Sequence, residues 1–122
     1  MMDGIDILLD EAEKARRLLD TEGRFQGGHN GPYCESETDA RNTGHYLFLF
    51  SFAYKITGLK YYYDALIRCG EVLISEDLMP YGVNVWHRKS SGSDETNGLI
   101  GPAWTIESLI EASRVTNDLK YV

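Results

Sequence analysis

The chain has 122 residues, of which 43% are hydrophobic and 11% aromatic, with 12 Lys and Arg against 19 Asp and Glu and a net charge of −7. A chain of this length usually folds as one domain, and this composition is too apolar for a disordered one. The acidic balance argues against a nucleic acid or an anionic membrane as partner, because both need clustered basic residues.

The sequence predicts neither a membrane-spanning helix nor a signal peptide. No run of about 18 apolar residues is present, so no membrane-spanning helix is predicted. The segment Met1–Asp10 has no Lys or Arg, which is wrong for a signal peptide. The two cysteines, Cys34 and Cys69, are far apart in the sequence and lack a paired-motif spacing, so we expect reduced thiols and a cytoplasmic protein.

Two segments in the first half carry helical patterns. Residues 3–19 place apolar side chains every three or four positions, and Asp3 is a suitable N-cap. Residues 42–57 are apolar on nearly all sides, which is typical of a buried helix. Gly58 is a suitable helix stop, because glycine adopts the left-handed conformation there.

Two more helices are predicted in the second half. Residues 59–75 are amphipathic, and the segment from about Gly101 to Val115 is largely apolar again. Long loops at 20–39 and 76–97 precede the two apolar helices. Loops of this length are uncommon in a compact domain unless they are functional or disordered.

The second half of this pattern repeats the first. Residues 55–61 match residues 114–121 apart from one inserted residue, and both contain Leu-Lys-Tyr. The repeat of about 60 residues consists of a buried helix, a short turn, an amphipathic helix and a long loop. We therefore predict an all-α fold of antiparallel helical hairpins, with two repeats in 1–122 and a third one begun. The long loops then share one end with the N-termini of the buried helices, and function is expected at that end.

Several runs resemble the repeat unit of the α/α toroids, the six-hairpin glycosidase-like proteins. They are Arg41-Asn42-Thr43-Gly44-His45-Tyr46, Phe52-Ala53-Tyr54-Lys55-Ile56-Thr57-Gly58 and Tyr62-Tyr63-Asp64-Ala65. Residues 79–86, 93–96 and 98–104 are similar to the unsaturated glucuronyl hydrolases of glycoside hydrolase families 88 and 105, and the resemblance extends to the sugar epimerases. It implies inner and outer rings of helices and a carbohydrate-active enzyme.

A full toroid has six hairpins, and this chain supplies two. The resemblance therefore implies a partial arc, an assembly of several chains in a homo-oligomer, or an N-terminal portion with a missing C-terminal remainder. The implied reaction is hydrolysis, hydration or epimerisation of a small-molecule or oligosaccharide substrate that can carry a uronic acid.

The side chains that sugar chemistry needs gather at the predicted loop end. Acid/base catalysis needs a carboxyl group, often with a second one across the substrate. Asp94 matches the Ser-Asp pattern of the glucuronyl hydrolases, and we predict it as general acid/base, supported by His87 or Asp39. Aromatic rings stack on sugars, and arginine binds a carboxylate with two hydrogen bonds. The predicted substrate-binding residues are Trp86, Trp104, Tyr33, Tyr81, Arg41, Arg88, His45 and Asn97.

Each of these side chains also has a structural interpretation. Asp39 and Asp94 are also suited to capping helices and loops, Trp104 to core packing, and His45 to a buried hydrogen bond. A metal site built from the three histidines and Asp39 lacks a close ligand spacing, so neither a metal nor another cofactor is predicted.

The alternative function is a non-catalytic helical-repeat module that binds a peptide, a glycan or a partner subunit, or an inactive portion of a larger enzyme. A deep pocket with shifted carboxylate pKa values would favour the enzyme, and an open apolar face would favour the binding module.

Overall fold

The described residues of the protein form four α-helices, as the sequence predicts. The computed structural model describes residue 1 and residues 3–28, 36–82, 85–89 and 94–122, and these parts contain no β-strand beyond one isolated bridge. The elements are α1 (Gly4–Glu22), α2 (Ala40–Thr57), α3 (Lys60–Leu73), α4 (Ile100–Thr116) and a 3-10 turn (Leu119–Tyr121). The all-α fold of packed helical hairpins is confirmed, with helix boundaries shifted by only a few residues. The closed toroid stays a prediction.

Local signals fix both ends of α1. The carboxylate of Asp3 accepts from the backbone N–H of Asp6, and the carboxylate of Asp6 accepts from the N–H of Asp3, so the two residues form a capping box. Gly23 ends the helix in the left-handed conformation, with φ of 80°. On the inner side of α1, Leu19 is buried and its carbonyl accepts from the guanidinium of Arg68 in α3.

The core lies between α2 and the helices α1 and α3. Leu47 and Phe50 of α2 have no exposed surface, and Leu66 of α3 has none either. The ring of Phe50 lies 6.1 Å from that of Phe25 and 6.4 Å from that of Tyr62, measured between centroids. Burial of these large side chains supplies the main driving force for packing the hairpin.

The apolar helix α4 runs parallel to α2 and approaches it closely. We call α2 and α4 the inner helices, and α1 and α3 the outer helices. A Cβ atom on Gly44 would come within 2.7 Å of the Ser108 hydroxyl oxygen, so the helices meet through small residues. Further along, Ser51 and Lys55 both donate to the same carboxylate oxygen of the buried Glu111. Burial alone would raise the pKa of Glu111, but these two hydrogen bonds and the positive charges of Lys55 and Arg114 together outweigh burial and lower the pKa.

Both inner helices end in the same way. Gly58 after α2 and Asn117 after α4 are left-handed, with φ of 68° and 56°. The chain then turns back towards the outer layer, where the Tyr121 ring packs on Gly70 of α3 and its hydroxyl donates to Glu71 at 3.0 Å. The helix stops and the short turns after α2 and α4 are therefore alike, and the division of the chain into two repeats stays a prediction.

The apolar pattern of the inner helices is wider than the surface that they bury. The sequence predicts burial on nearly all sides, but Phe48 of α2 is 40% exposed and Ile106 of α4 is 56% exposed. The outer helices cover only one side of this pair. None of the helices in the described ranges is long and apolar enough to cross a bilayer.

Candidate functional site

Two loops are joined at the end where α2 and α4 begin. Glu37 and Arg88 form an antiparallel bridge, the N–H of Thr38 donates to the His87 carbonyl at 2.9 Å, and the N–H of His87 donates to the Glu95 carbonyl at 2.7 Å. The loop before α2 is thereby tied to the loop before α4. This connection fixes Trp86, His87 and Arg88 over the helix N-termini, at the predicted loop end.

An open cleft of about 480 Å³ lies at this end. Its walls combine one tryptophan with three cationic and two acidic side chains. The lining residues are Arg24, Gln26, Thr38, Asp39, Asp77, Leu78, Trp86, Arg88 and Lys89. The half-buried Trp86 meets the exposed Tyr81 edge-on, with 5.8 Å between centroids. We name this feature the loop-end cleft.

Asp39 contributes a buried carboxylate to the loop-end cleft. Its Oδ2 is paired with the guanidinium of Arg24, and its Oδ1 accepts from the backbone N–H of Gly27 at 3.2 Å. Asp39 is the N-cap residue of α2, but its side chain makes no capping hydrogen bond to the helix. The carboxylate therefore joins the loop after α1 to the start of α2.

His87 points away from the cleft and packs against α4. It is 3% exposed, and its Nε2 lies 2.9 Å from the Thr105 hydroxyl. That hydroxyl donates its own proton to the Gly101 carbonyl at 3.1 Å, so Nε2 of His87 is assigned as the donor. Burial lowers the pKa of His87, and the nearby Arg41 and His45 lower it further.

A pH dependence of stability follows from His87. Because its pKa is lower in the folded state, the neutral ring contributes stability at neutral pH, and this contribution is lost as the pH falls below the ordinary value of about 6.5. We expect the decrease in melting temperature between pH 7 and pH 5 to be smaller in His87→Gln than in the wild type. The comparison variant is His45→Gln, which removes a nearby imidazole that adds to the lowering of the His87 pKa and should reduce the slope by less than His87→Gln does. An unchanged slope in His87→Gln would contradict this assignment.

Asp94 lies in an exposed turn before α4. Its Oδ1 accepts from the N–H of Thr96 at 3.0 Å and from the Thr96 hydroxyl at 2.7 Å, and its Oδ2 accepts from the N–H of Gly98. The Thr96 hydroxyl and the Gly98 N–H lower the pKa of Asp94. This geometry supports a capping role in the turn, and the catalytic role of Asp94 stays a prediction. In the same turn, Asn97 accepts from Arg88 at 2.6 Å.

Two of the predicted binding residues lie next to each other at the helix starts. The ring of His45 in α2 meets Trp104 of α4 at 5.8 Å between centroids, and His87 lies 6.4 Å from the same indole. Arg41 is paired with the buried Glu37 at 2.7 Å. These side chains form a second group beside the loop-end cleft, and Tyr33 lies outside the described residues.

Sequence reasoning missed several charged residues of this end. Arg24, Asp77 and Lys89 of the cleft come from two loops that carry no periodic pattern, so no sequence signal identifies them. Glu37 is only 4% exposed, and its spacing from Arg41 was a signal that could have identified the pair. Within the described ranges, no three His, Cys, Asp or Glu side chains are arranged to hold a metal ion. Cys69 is a free, buried thiol whose pKa is raised to about 12 by burial.

Comparisons with known proteins give one informative match. No protein-family model and no solved structure matches the chain. The resemblance to the glucuronyl hydrolases and epimerases therefore stays a prediction. The chain is 37% identical over 113 residues to "Archaeal glycosylation protein Q" of Haloferax volcanii. The match covers 93% of this chain but 30% of that protein, so the chain spans about 30% of the length of the curated relative that it matches.

Proposed function

We propose that this chain belongs to a carbohydrate-active protein of a glycosylation pathway and that its loop-end cleft binds a sugar. The observation that carries the proposal is the 37% identity, over nearly the whole chain, to a protein named for archaeal glycosylation. Because the chain spans only 30% of that relative, the activity of the complete protein is part of the proposal.

The chemistry of the loop-end cleft supports a sugar as ligand. Trp86 offers an aromatic face, on which the C–H surface of a sugar ring packs. Arg24, Arg88 and Lys89 give the cleft three cationic groups against the two carboxylates of Asp39 and Asp77. Arginine recognises carboxylates through paired hydrogen bonds, so a sugar that carries a carboxylate suits this lining better than a neutral one.

The reaction that we propose is acid/base catalysis by a carboxylate, of the glycoside hydrolase or epimerase type. Asp39 is the predicted catalytic carboxylate that lines the cleft, and it lies next to a cation and near the aromatic platform. We therefore favour Asp39 over Asp94 for this role. His87 is assigned to positioning, because it holds the start of α4 through Thr105.

A non-catalytic glycan-binding module is the second candidate. Two observations favour it: the cleft is open, and both oxygens of Asp39 are already engaged, by Arg24 and by the N–H of Gly27. The two candidates agree on the ligand class and differ in whether the bound sugar is turned over.

The test is a sugar titration of the full-length protein, followed by NMR, with glucuronic acid and glucose as probes. We expect glucuronic acid to bind more tightly than glucose. Trp86→Ala should weaken the binding about fivefold, because an aromatic contact contributes on the order of 1 kcal/mol. The control is Tyr61→Ala, which removes an exposed aromatic ring from α3 at the opposite, short-turn end.

If Trp86→Ala binds each sugar as tightly as the wild type does, the loop-end cleft is not the sugar site. Turnover is measured in parallel with an aryl glucuronide. Release of the aryl group by the wild type, and its loss in Asp39→Asn, would support the enzyme. Binding without release would support the binding module.

A further inference from the structure

We propose that one exposed face of α4 binds a third inner helix, carried by a further helical hairpin of the same protein and running parallel to α4. The face, which we name the open face, consists of Ala103, Ile106, Ile110 and Arg114, all of them exposed. Ile106 is 56% and Ile110 39% exposed. This inference concerns assembly and does not depend on the proposed sugar site.

The internal repeat identifies equivalent positions in α2 and α4. Gly58 and Asn117, the two left-handed residues that end these helices, provide the alignment. Counting back from them pairs Phe50 with Leu109, and both of these side chains are buried. The equivalence therefore holds in the packed structure as well as in the sequence.

The open face corresponds to the face with which α2 binds α4. Among the residues of α2 that contact α4 are Gly44, Ser51 and Lys55. Their equivalents in α4 are, in the same order, Ala103, Ile110 and Arg114. Leu47, which has no exposed surface, corresponds to Ile106. The same surface is thus occupied on α2 and uncovered on α4 within the described parts of the chain.

The occupied interface defines the chemistry of the missing helix. On α4, Ser108 is small enough to approach Gly44, and Glu111 accepts from Lys55. A helix that repeats this contact places a small residue against Ala103 and a carboxylate within reach of Arg114. Covering Ile106 and Ile110, which are 56% and 39% exposed, would remove their remaining apolar surface from water and so favour this contact.

A second copy of this chain lacks that chemistry. In a head-to-tail dimer, α2 of the second copy would pack on the open face of the first copy. At the positions where α4 has Ser108 and Glu111, α2 has Leu49 and Phe52. Phe52 offers no carboxylate to Arg114, and Leu49 is larger than serine. By contrast, a homologous protein has room for further hairpins, because this chain aligns with only 30% of its length.

The experiment measures thiol reactivity on the open face. Ile110→Cys is introduced into the full-length protein in its own host, and labelling by a maleimide is followed by mass spectrometry in native buffer and in urea. The unmodified protein corrects for Cys34 and Cys69. We expect labelling at position 110 to be at least tenfold slower in the native protein than in urea. The control, Lys14→Cys, places a thiol on exposed α1 and should label at similar rates in both.

Light scattering on the same sample identifies the source of the covering helix. Protection at position 110 in a monomeric protein supports the proposal, and Arg114→Glu should then restore labelling while Arg17→Glu does not. Native labelling at position 110 as fast as at position 14 overturns the proposal. Protection that exists only in an oligomer of this chain, or only in a complex with another protein, overturns the assignment to the same polypeptide.

Discussion

Replacing Phe50 by alanine is expected to lower the free energy of unfolding by about 3–5 kcal/mol, the range for a large aromatic residue in a core. Phe50 has no exposed surface and its ring lies between those of Phe25 and Tyr62. Truncation would leave a cavity at the contact of α2 with α3 that these rings cannot fill. Urea denaturation followed by circular dichroism measures the loss.

Phe48 provides a matched control on the same helix. It is also a phenylalanine, but it is 40% exposed, so Phe48→Ala should cost less than half as much as Phe50→Ala. The comparison removes differences in helix propensity, because both variants make the same replacement in α2. Equal losses would mean that the two rings are equally buried, which contradicts the packing of α2.

The helices were predictable because their signals are local. The spacing of apolar residues, the N-cap Asp3 and the stop at Gly58 act within a few positions of the chain, and each of them is found where the sequence places it. The repeat also predicts that α2 and α4 are equivalent helices with their N-termini at the same end. Together they gave the fold class and the end at which the loops meet.

The candidate site was only partly predictable because its contacts join distant parts of the chain. Asp39 was identified as a loop-end carboxylate, but its pairing with Arg24 depends on how the loop after α1 folds against α2. Asp94 fitted a family pattern, while its hydrogen bonds to Thr96 and Gly98 depend on the shape of one turn. Loop geometry of this kind has no periodic signature in the sequence.

The burial of the inner helices shows a second limit of what the sequence predicts. An apolar pattern reports which faces a helix is suited to bury, and it does not report which partners cover them. On α2 the face that includes Gly44 and Ser51 is covered by α4, whereas the equivalent Ala103 and Ile110 are exposed. The pattern therefore indicates which faces of α4 are suited to burial, and it does not indicate what covers them.

Gly101→Ala is expected to lower the free energy of unfolding by about 3 kcal/mol, the upper end of the range for overpacking. A Cβ atom at this position would overlap the backbone oxygen of Thr96 and lie 2.8 Å from the His87 ring. The backbone oxygen cannot move without shifting the turn that Asp94 holds, and the buried ring has little space to give. The first turn of α4 would therefore separate from the loop that carries Trp86 and His87.

Gly4→Ala is the control for this last substitution, because it makes the same change in a helix with no heavy atom within 4 Å of the new Cβ. It should leave the stability unchanged or raise it slightly, since alanine has the higher helix propensity. Near-ultraviolet circular dichroism reports the environments of Trp86 and Trp104, and it should change in Gly101→Ala and not in Gly4→Ala. If Gly101→Ala keeps both its stability and this spectrum, the close contact between α4 and the His87 loop is wrong. The loop-end cleft would then lose the support that fixes Trp86 and Arg88 in its wall.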